Sequence, residues 1–251
     1  MSLLDKFILF GDSITQYASD QSGFALAPAL QHLYQRKLDI ITRGFSGYNT
    51  NSGHIVLREL LKADLASSGS IKLMYIFMGT NDAATTFQHV PLAQYKENLD
   101  KMAKMVLDKG IKLIIVGPGL HDQALSTIAR GDGDVTPPFS SSKETRIYAD
   151  TAASVAHENS VPFIDLWTLF QNYGKWTTEE LLEGSPDLHE LLVDGIHFSP
   201  KAYELLYEEL VATISATYPE LLPDNLPSVF PNYDELDYDN LEKSIMDSIK
   251  K

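Results

Sequence analysis

A serine, a histidine and a carboxylate together can cleave an ester, and this chain carries them at opposite ends. Ser13 lies in Gly11-Asp12-Ser13-Ile14; Asp194 and His197 lie in Asp194-Gly195-Ile196-His197. A serine hydroxyl is a poor nucleophile until a base takes its proton and a third group orients that base. Asp194 and His197 are close enough in sequence to share one turn, where the carboxylate accepts from one imidazole nitrogen while the other faces Ser13. The tetrahedral oxyanion needs donors fixed in advance. A glycine amide at Gly44, in Arg43-Gly44-Phe45-Ser46-Gly47, and the carboxamide of Asn81, in Gly79-Thr80-Asn81-Asp82, supply them without adding charge. Each residue also has an ordinary alternative: Ser13 as a helix cap, Gly44 as a strand end, Asn81 as a turn brace, and Asp194 with His197 as polar residues before a helix.

The surrounding sequence places these residues. Lys6 to Phe10 is a continuous apolar run, the pattern of a central parallel strand buried on both faces. A helix is expected over 24–37, a more polar edge strand over 38–42, a helix near 52–63 and a strongly apolar strand over 71–78. Leu92, Tyr95, Leu99, Met102 and Val106 mark one face of a long helix closed by Gly110, and a fourth strand spans 111–116. A helix over 144–158, a fifth strand over 161–165 and a short helix over 177–182 follow. Ser199-Pro200 reads as an N-cap with proline at N1, opening a last helix through Leu206, Leu210 and Ile214. Strands alternating with amphipathic helices imply βαβ units and a three-layer α/β/α fold with a parallel sheet, whose site lies beyond the carboxyl ends of the strands. Ser13, Gly44 and Asn81 each follow one of the first three.

Residues 121–142, rich in Gly, Asp, Pro and Ser, read as a mobile surface insertion bordering the site. From Pro219 the composition turns acidic and proline-rich. One reading is a disordered tail. The other takes Asp239 and Glu242 as a capping box for a helix with Leu241, Ile245, Met246 and Ile249 on one face, packing on a partner subunit in a homodimer. The division is thus 1–218 for the catalytic domain and 219–251 for the tail.

With 251 residues, 44% of them hydrophobic, the chain can bury one sizeable core. A formal charge of −14 argues against nucleic acid and against electrostatic attraction to anionic membranes, and suits a small uncharged substrate. Without cysteine, disulfides, thiolate metal sites and cysteine nucleophiles are excluded. Neither a signal sequence nor a membrane-spanning stretch is legible, so a cytoplasmic protein is expected. Asp12 and Asp82 read as loop-bracing acceptors rather than metal ligands, and no metal or other cofactor is expected. Gly117-Pro118-Gly119 lacks the third glycine of a dinucleotide loop and follows the fourth strand. Of the other histidines only His121 competes as a site residue, with Asp122 as its sole neighbouring acid.

FGDSIT, RGFSGY, GTNDA and DGIHFS, in that order, resemble the SGNH (GDSL-type) hydrolase family. With IIVGPGL and VPFIDL added they are similar to the isoamyl acetate-hydrolysing esterases within it, over roughly Lys6 to Tyr218. No glycine stands two residues after Ser13, so this is not the nucleophile elbow of α/β-hydrolases. The resemblance implies a five-stranded flavodoxin-like sheet with strand one between two and three. It assigns Ser13, Asp194 and His197 to catalysis, and the Ser13 and Gly44 amides with the Asn81 side chain to the oxyanion hole. It implies hydrolysis of short-acyl esters, acetates above all, of medium-chain alcohols through an acyl-serine. Ile14, Phe45, Leu120 and Phe198 adjoin the motifs and are candidates for an apolar pocket or for the core. Carbohydrate acetyl esterase, lysophospholipase and thioesterase are the rivals within the fold. A non-catalytic binding module is the rival outside catalysis.

Overall fold

The computed structural model describes residues 4–67, 69–129, 139–184 and 186–249. Five parallel strands, β1 (Asp5–Gly11), β2 (Leu38–Gly44), β3 (Ile71–Phe77), β4 (Lys112–Val116) and β5 (Phe163–Ile164), form one sheet in the order β2-β1-β3-β4-β5. The polar second strand is at the edge and β1 lies between β2 and β3, as expected for a flavodoxin-like sheet. Residues 6–11 of β1 are all buried because both faces are covered. Phe7 and Leu9 pack with α2 (Leu26–Leu33) and α9 (Pro200–Thr217). Ile8 and Phe10 pack on the other face with α3 (Thr50–Ala66) and α4 (Leu92–Leu107). The fold is therefore a three-layer α/β/α sandwich.

Several elements differ from the sequence pattern. The first amphipathic helix, α2, stops at Leu33 because the chain reverses there: Arg36 takes φ +62° and the Lys37 amide donates to Tyr34 O. Only Phe163 and Ile164 of the fifth apolar run join the ladder. Asp165 then caps α7 (Leu166–Gly174), which buries Leu166, Trp167 and Phe170 on one face. The stretch taken as a mobile insertion contains α5 (Gln123–Ala129) and the start of α6 (Ser142–Glu158), capped by Ser141; its residues 130–138 lie outside the described residues. The short helix expected before the Asp194 turn is α8 (Thr178–Glu183), with Thr177 and Glu180 as its capping box. Among the described residues no helix is long and apolar enough to cross a membrane.

Core packing runs past residue 218. Leu221 is buried, and Leu222 and Leu226 lie against the same cluster as α9. Farther on, the Arg36 guanidinium donates to Phe230 O, Pro231 O and Asn232 Oδ1, and Lys37 Nζ donates to Leu226 O. The reversal after α2 thus doubles as an anchor for the segment after α9. The last helix, α10 (Leu241–Ile249), is present; its approach is braced by Asp237, whose Oδ1 accepts from the amides of Asp239 and Asn240. Deleting a buried leucine side chain costs about 2–5 kcal/mol. A chain ending after Tyr218 should therefore melt roughly 4–20 °C below the full-length protein, and one ending after Leu226 much closer to it. Thermal unfolding of the two truncations checks where the cooperative unit ends.

Candidate active site

The carboxyl end of β1 presents Ser13. Asp12 caps α1 (Ser13–Gln16), its Oδ1 accepting from the Ile14 amide at 2.9 Å, and Gln16 N donates to Asp12 O. This short helix sits directly on the end of β2. A Cβ on Gly44 would lie 2.0 Å from Gln16 N, against backbone that cannot give way.

The histidine comes from a tight loop between α8 and α9. Val193 N donates to His197 O at 2.9 Å and Leu192 bridges Phe198, so the Asp194–His197 turn is closed like a hairpin. Phe198 anchors it among the rings of Phe77, Phe170 and Tyr203, with centroids 5.2–5.9 Å away. Tyr203 Oη, from the first turns of α9, donates to Ile14 O at 2.7 Å and ties the histidine segment to the serine segment. In consequence His197 Nε2 stands 2.9 Å from Ser13 Oγ, and Nδ1 stands 2.6 Å from Asp194 Oδ2. The other carboxylate oxygen of Asp194 accepts from the amides of Ile196 and His197 at 3.0 and 2.8 Å. Partial burial raises the cost of charge on Asp194. The His197 ring, those amides and the imidazole's charge outweigh it and hold the carboxyl well below the usual range. A carboxylate fixed in this way selects the Nδ1–H tautomer and leaves Nε2 to accept the serine proton.

Asn81 is buried four residues beyond Phe77, which pairs with Gly11, so it flanks the Ser13 loop across the β1/β3 pair. Its Nδ2 donates to Tyr48 O at 2.8 Å, and its Oδ1 accepts from Gln88 Nε2 at 3.1 Å. The glycines of the RGFSGY block divide the work differently from the sequence expectation. Phe45 N donates to Gly11 O; strand alternation therefore turns the Gly44 amide away from β1, towards the open sheet edge. Gly44 is the close-packing glycine under α1. Three residues on, Phe45 O accepts from Tyr48 N in a turn whose third residue, Gly47, has φ +78°, which only glycine takes without strain. Gly47 O accepts from Gln88 at 2.8 Å, which brings this glycine beside Asn81, and its amide donates to none of the described residues. The one available sequence signal was that the block holds two glycines.

The apolar candidates separate as well. Ile14 and Leu120 are core residues, 1% and 4% exposed. Phe45 stacks on Tyr48 beside the opposite core face. Only Phe198 lines the cavity next to His197, a space of about 290 Å³ whose other walls include Tyr17, Phe24, Val193 and Asp194. The Tyr17 ring meets the His197 ring edge-on at 5.1 Å, a contact with no legible signal in the sequence. His121 is buried with Nε2 against Ser126 Oγ at 3.1 Å and takes no part in the Ser13 relay. The insertion does border the site, since Asp122 N donates to Gly195 O. Among the described residues no three His, Asp or Glu side chains cluster as a metal set.

The model of the GDSL-like lipase/acylhydrolase family matches residues 9–205. The chain belongs to this family. As a GDSL-like acylhydrolase it is a carboxylic ester hydrolase of the serine-esterase type. It is 35% identical to the isoamyl acetate-hydrolyzing esterase of Saccharomyces cerevisiae, over 88% of this chain and 91% of that one. The isoamyl acetate-hydrolyzing esterase 1 homolog of Homo sapiens is 31% identical, over 88% and 87%. Among solved structures, the lipase/acylhydrolase from Enterococcus faecalis shares the fold of this GDSL-like acylhydrolase with a TM-score of 0.61. It is 24% identical and covers 90% of this chain and 98% of its own.

Asp12 and Asp82 brace the loops as expected, but at an electrostatic cost. Burial pushes Asp12 up to about 7, against the opposing Ile14 amide, and Oδ2 has no hydrogen-bond partner among the described residues. Burial likewise raises Asp82 to about 6, opposed by hydrogen bonds from the Thr50 hydroxyl and amide. For Asp12 the folded state holds the proton more tightly than the unfolded chain. Its stabilising share is therefore complete below the unfolded pKa of about 3.9 and is lost as the pH rises through about 7. Asp12→Asn keeps an acceptor for Ile14 and should flatten the fall in stability between pH 4 and pH 8 by a few kcal/mol. Urea unfolding at both pH values checks it, and an unchanged slope in the variant contradicts the assignment.

Proposed function

We propose that this acylhydrolase cleaves short-acyl esters, acetates in the first place, of medium-chain alcohols such as isoamyl acetate, through an acyl-serine intermediate. The observation that carries the reading is the continuous relay Asp194–His197–Ser13, with both hydrogen bonds at working length. Ser13 Oγ attacks the ester carbonyl as His197 Nε2 takes its proton, and Asp194 stabilises the imidazolium that forms. The oxyanion is held by the amides of Ser13 and Gly47 and by the Asn81 carboxamide. Gly47 fills the role first expected of Gly44, whose own amide turns towards the sheet edge. His197 then protonates the leaving alcohol, and a water activated by the same imidazole releases the acid.

The alcohol must leave past His197, and the cavity beside that ring offers Phe24, Val193 and Phe198 to an alkyl chain. The two relatives described above carry isoamyl acetate in their names, which supports the same alcohol class. A sugar acetate is the second reading, favoured by Asp20 and Ser22 on the same wall, where they can bind hydroxyls. A role for the acidic tail in a homodimer, and action on the substrate without any cofactor, belong to this proposal too. The proposal sets the protein in the cytoplasm, away from nucleic acid and membranes.

Turnover of p-nitrophenyl esters from acetyl to decanoyl, of isoamyl acetate and of a sugar acetate tests the assignment. Rates should fall steeply with acyl length, hold on isoamyl acetate, and drop by roughly 10⁴-fold or more in Ser13→Ala. A preference for the sugar acetate selects the second reading, and no Ser13-dependent turnover on any ester rejects both. Asn81→Ala should fold normally and lose about 10²–10³-fold in kcat.

A further inference from the structure

We infer that Gln88 is a positioning residue that decides which end of the Asn81 carboxamide faces the reacting oxygen. The argument starts from two backbone carbonyls, which can only accept. Gly47 O lies 2.8 Å from Gln88 Nε2 and fixes the amino end of the glutamine side chain. Tyr48 O lies 2.8 Å from Asn81 Nδ2 and fixes the amino end of the asparagine side chain. Between them, Gln88 Nε2 meets Asn81 Oδ1 at 3.1 Å, donor to acceptor. If Asn81 were turned over, its amino end would face the Gln88 amino end and its oxygen would face Tyr48 O, so both contacts would become repulsive.

The consequence reaches the chemistry. A carboxamide nitrogen carries two hydrogens, and Tyr48 takes one from Asn81. The second is the donor the proposed oxyanion hole requires. In the reversed state Oδ1 would present lone pairs to a developing negative charge, so the penalty exceeds the loss of one hydrogen bond. The Gln88 backbone is itself held in place: its main-chain carbonyl accepts from Nδ2 of Asn49, the N-cap of α3, at 2.8 Å. One half-buried glutamine between β3 and α4 therefore spans the loop after β2 and the turn after β3. It keeps Gly47 and Asn81 in register.

This inference rests on the esterase reading, and a double-mutant cycle separates the two. Ser13-dependent hydrolysis of p-nitrophenyl acetate by the wild type tests the reading; Gln88→Ala, Asn81→Ala and the double variant test the inference. Gln88→Ala should lower kcat by roughly 10- to 100-fold, within the span of coupling inside one hydrogen-bond network, with KM within about twofold. In the Asn81→Ala background the same replacement should cost less than about twofold, because the group it orients is gone. Gln88→Glu, nearly isosteric but acceptor-only when ionised and so unable to donate to Asn81 Oδ1 or Gly47 O, should be at least as impaired as Gln88→Ala and covers the case in which the alanine variant does not fold. Losses that multiply in the double variant, or a Gln88→Glu enzyme within about twofold of wild type, would overturn the inference while leaving the esterase reading standing.

Discussion

Everything at the active end of this molecule depends on how closely α1 lies on the sheet. Ser13 follows β1 by only two residues, so its hydroxyl meets the His197 ring only if the chain turns at once into α1 over the end of β2. That turn has no room for a side chain at Gly44, where any Cβ would collide with the Gln16 backbone. Once the turn is made, Tyr203 can reach Ile14 O from α9, and the Asp194–His197 hairpin is drawn to the serine from 184 residues away. Without the close contact, neither Ser13 nor its tie to His197 has a defined position.

The same end of the sheet sorts its carboxylates by environment. Asp194 is half-exposed and receives two amides and an imidazole, so it stays charged far into the acid range. Asp12 and Asp82 are buried and receive fewer donors than an ionised carboxylate can accept, so both bind protons more tightly than in water. Cap geometry explains the tolerance for this cost: Asp12 fixes the turn that sets Ser13 against His197, while Asp82 links the turn after β3 to the start of α3 through Thr50. Stability is conceded where loop precision is gained.

Around the relay, two regions serve different ends. On one flank, Gly47, Asn81 and Gln88 form a rigid polar patch in which each polar contact is directional. On the other, the cavity beside His197 joins the apolar faces of Tyr17, Phe24, Val193 and Phe198 to the polar groups of Asp20 and Ser22. A polar flank with fixed donors suits charge that develops during a reaction, and a flank of mixed lining selects a ligand by fit as well as by polar contact.

The sequence by itself determined the five strands, the main helices between them and the chemical types at the site; it missed α5 and α7. Those signals are local: apolar runs of strand length, periodic helix faces, an N-cap followed by proline, and short motifs at strand ends. It carried too little to separate Gly44 from Gly47, because the two differ in strand alternation and turn position rather than in residue type. Neither Gln88 nor Tyr17 announced itself, since each matters through one neighbour far away in sequence. For Ile14 and Leu120 adjacency left pocket and core equally open, and packing placed them in the core. Residue type fixes what a group can donate, accept or bury; the tertiary fold alone decided which groups meet, because distance and direction arise only when loops from different strands are brought together.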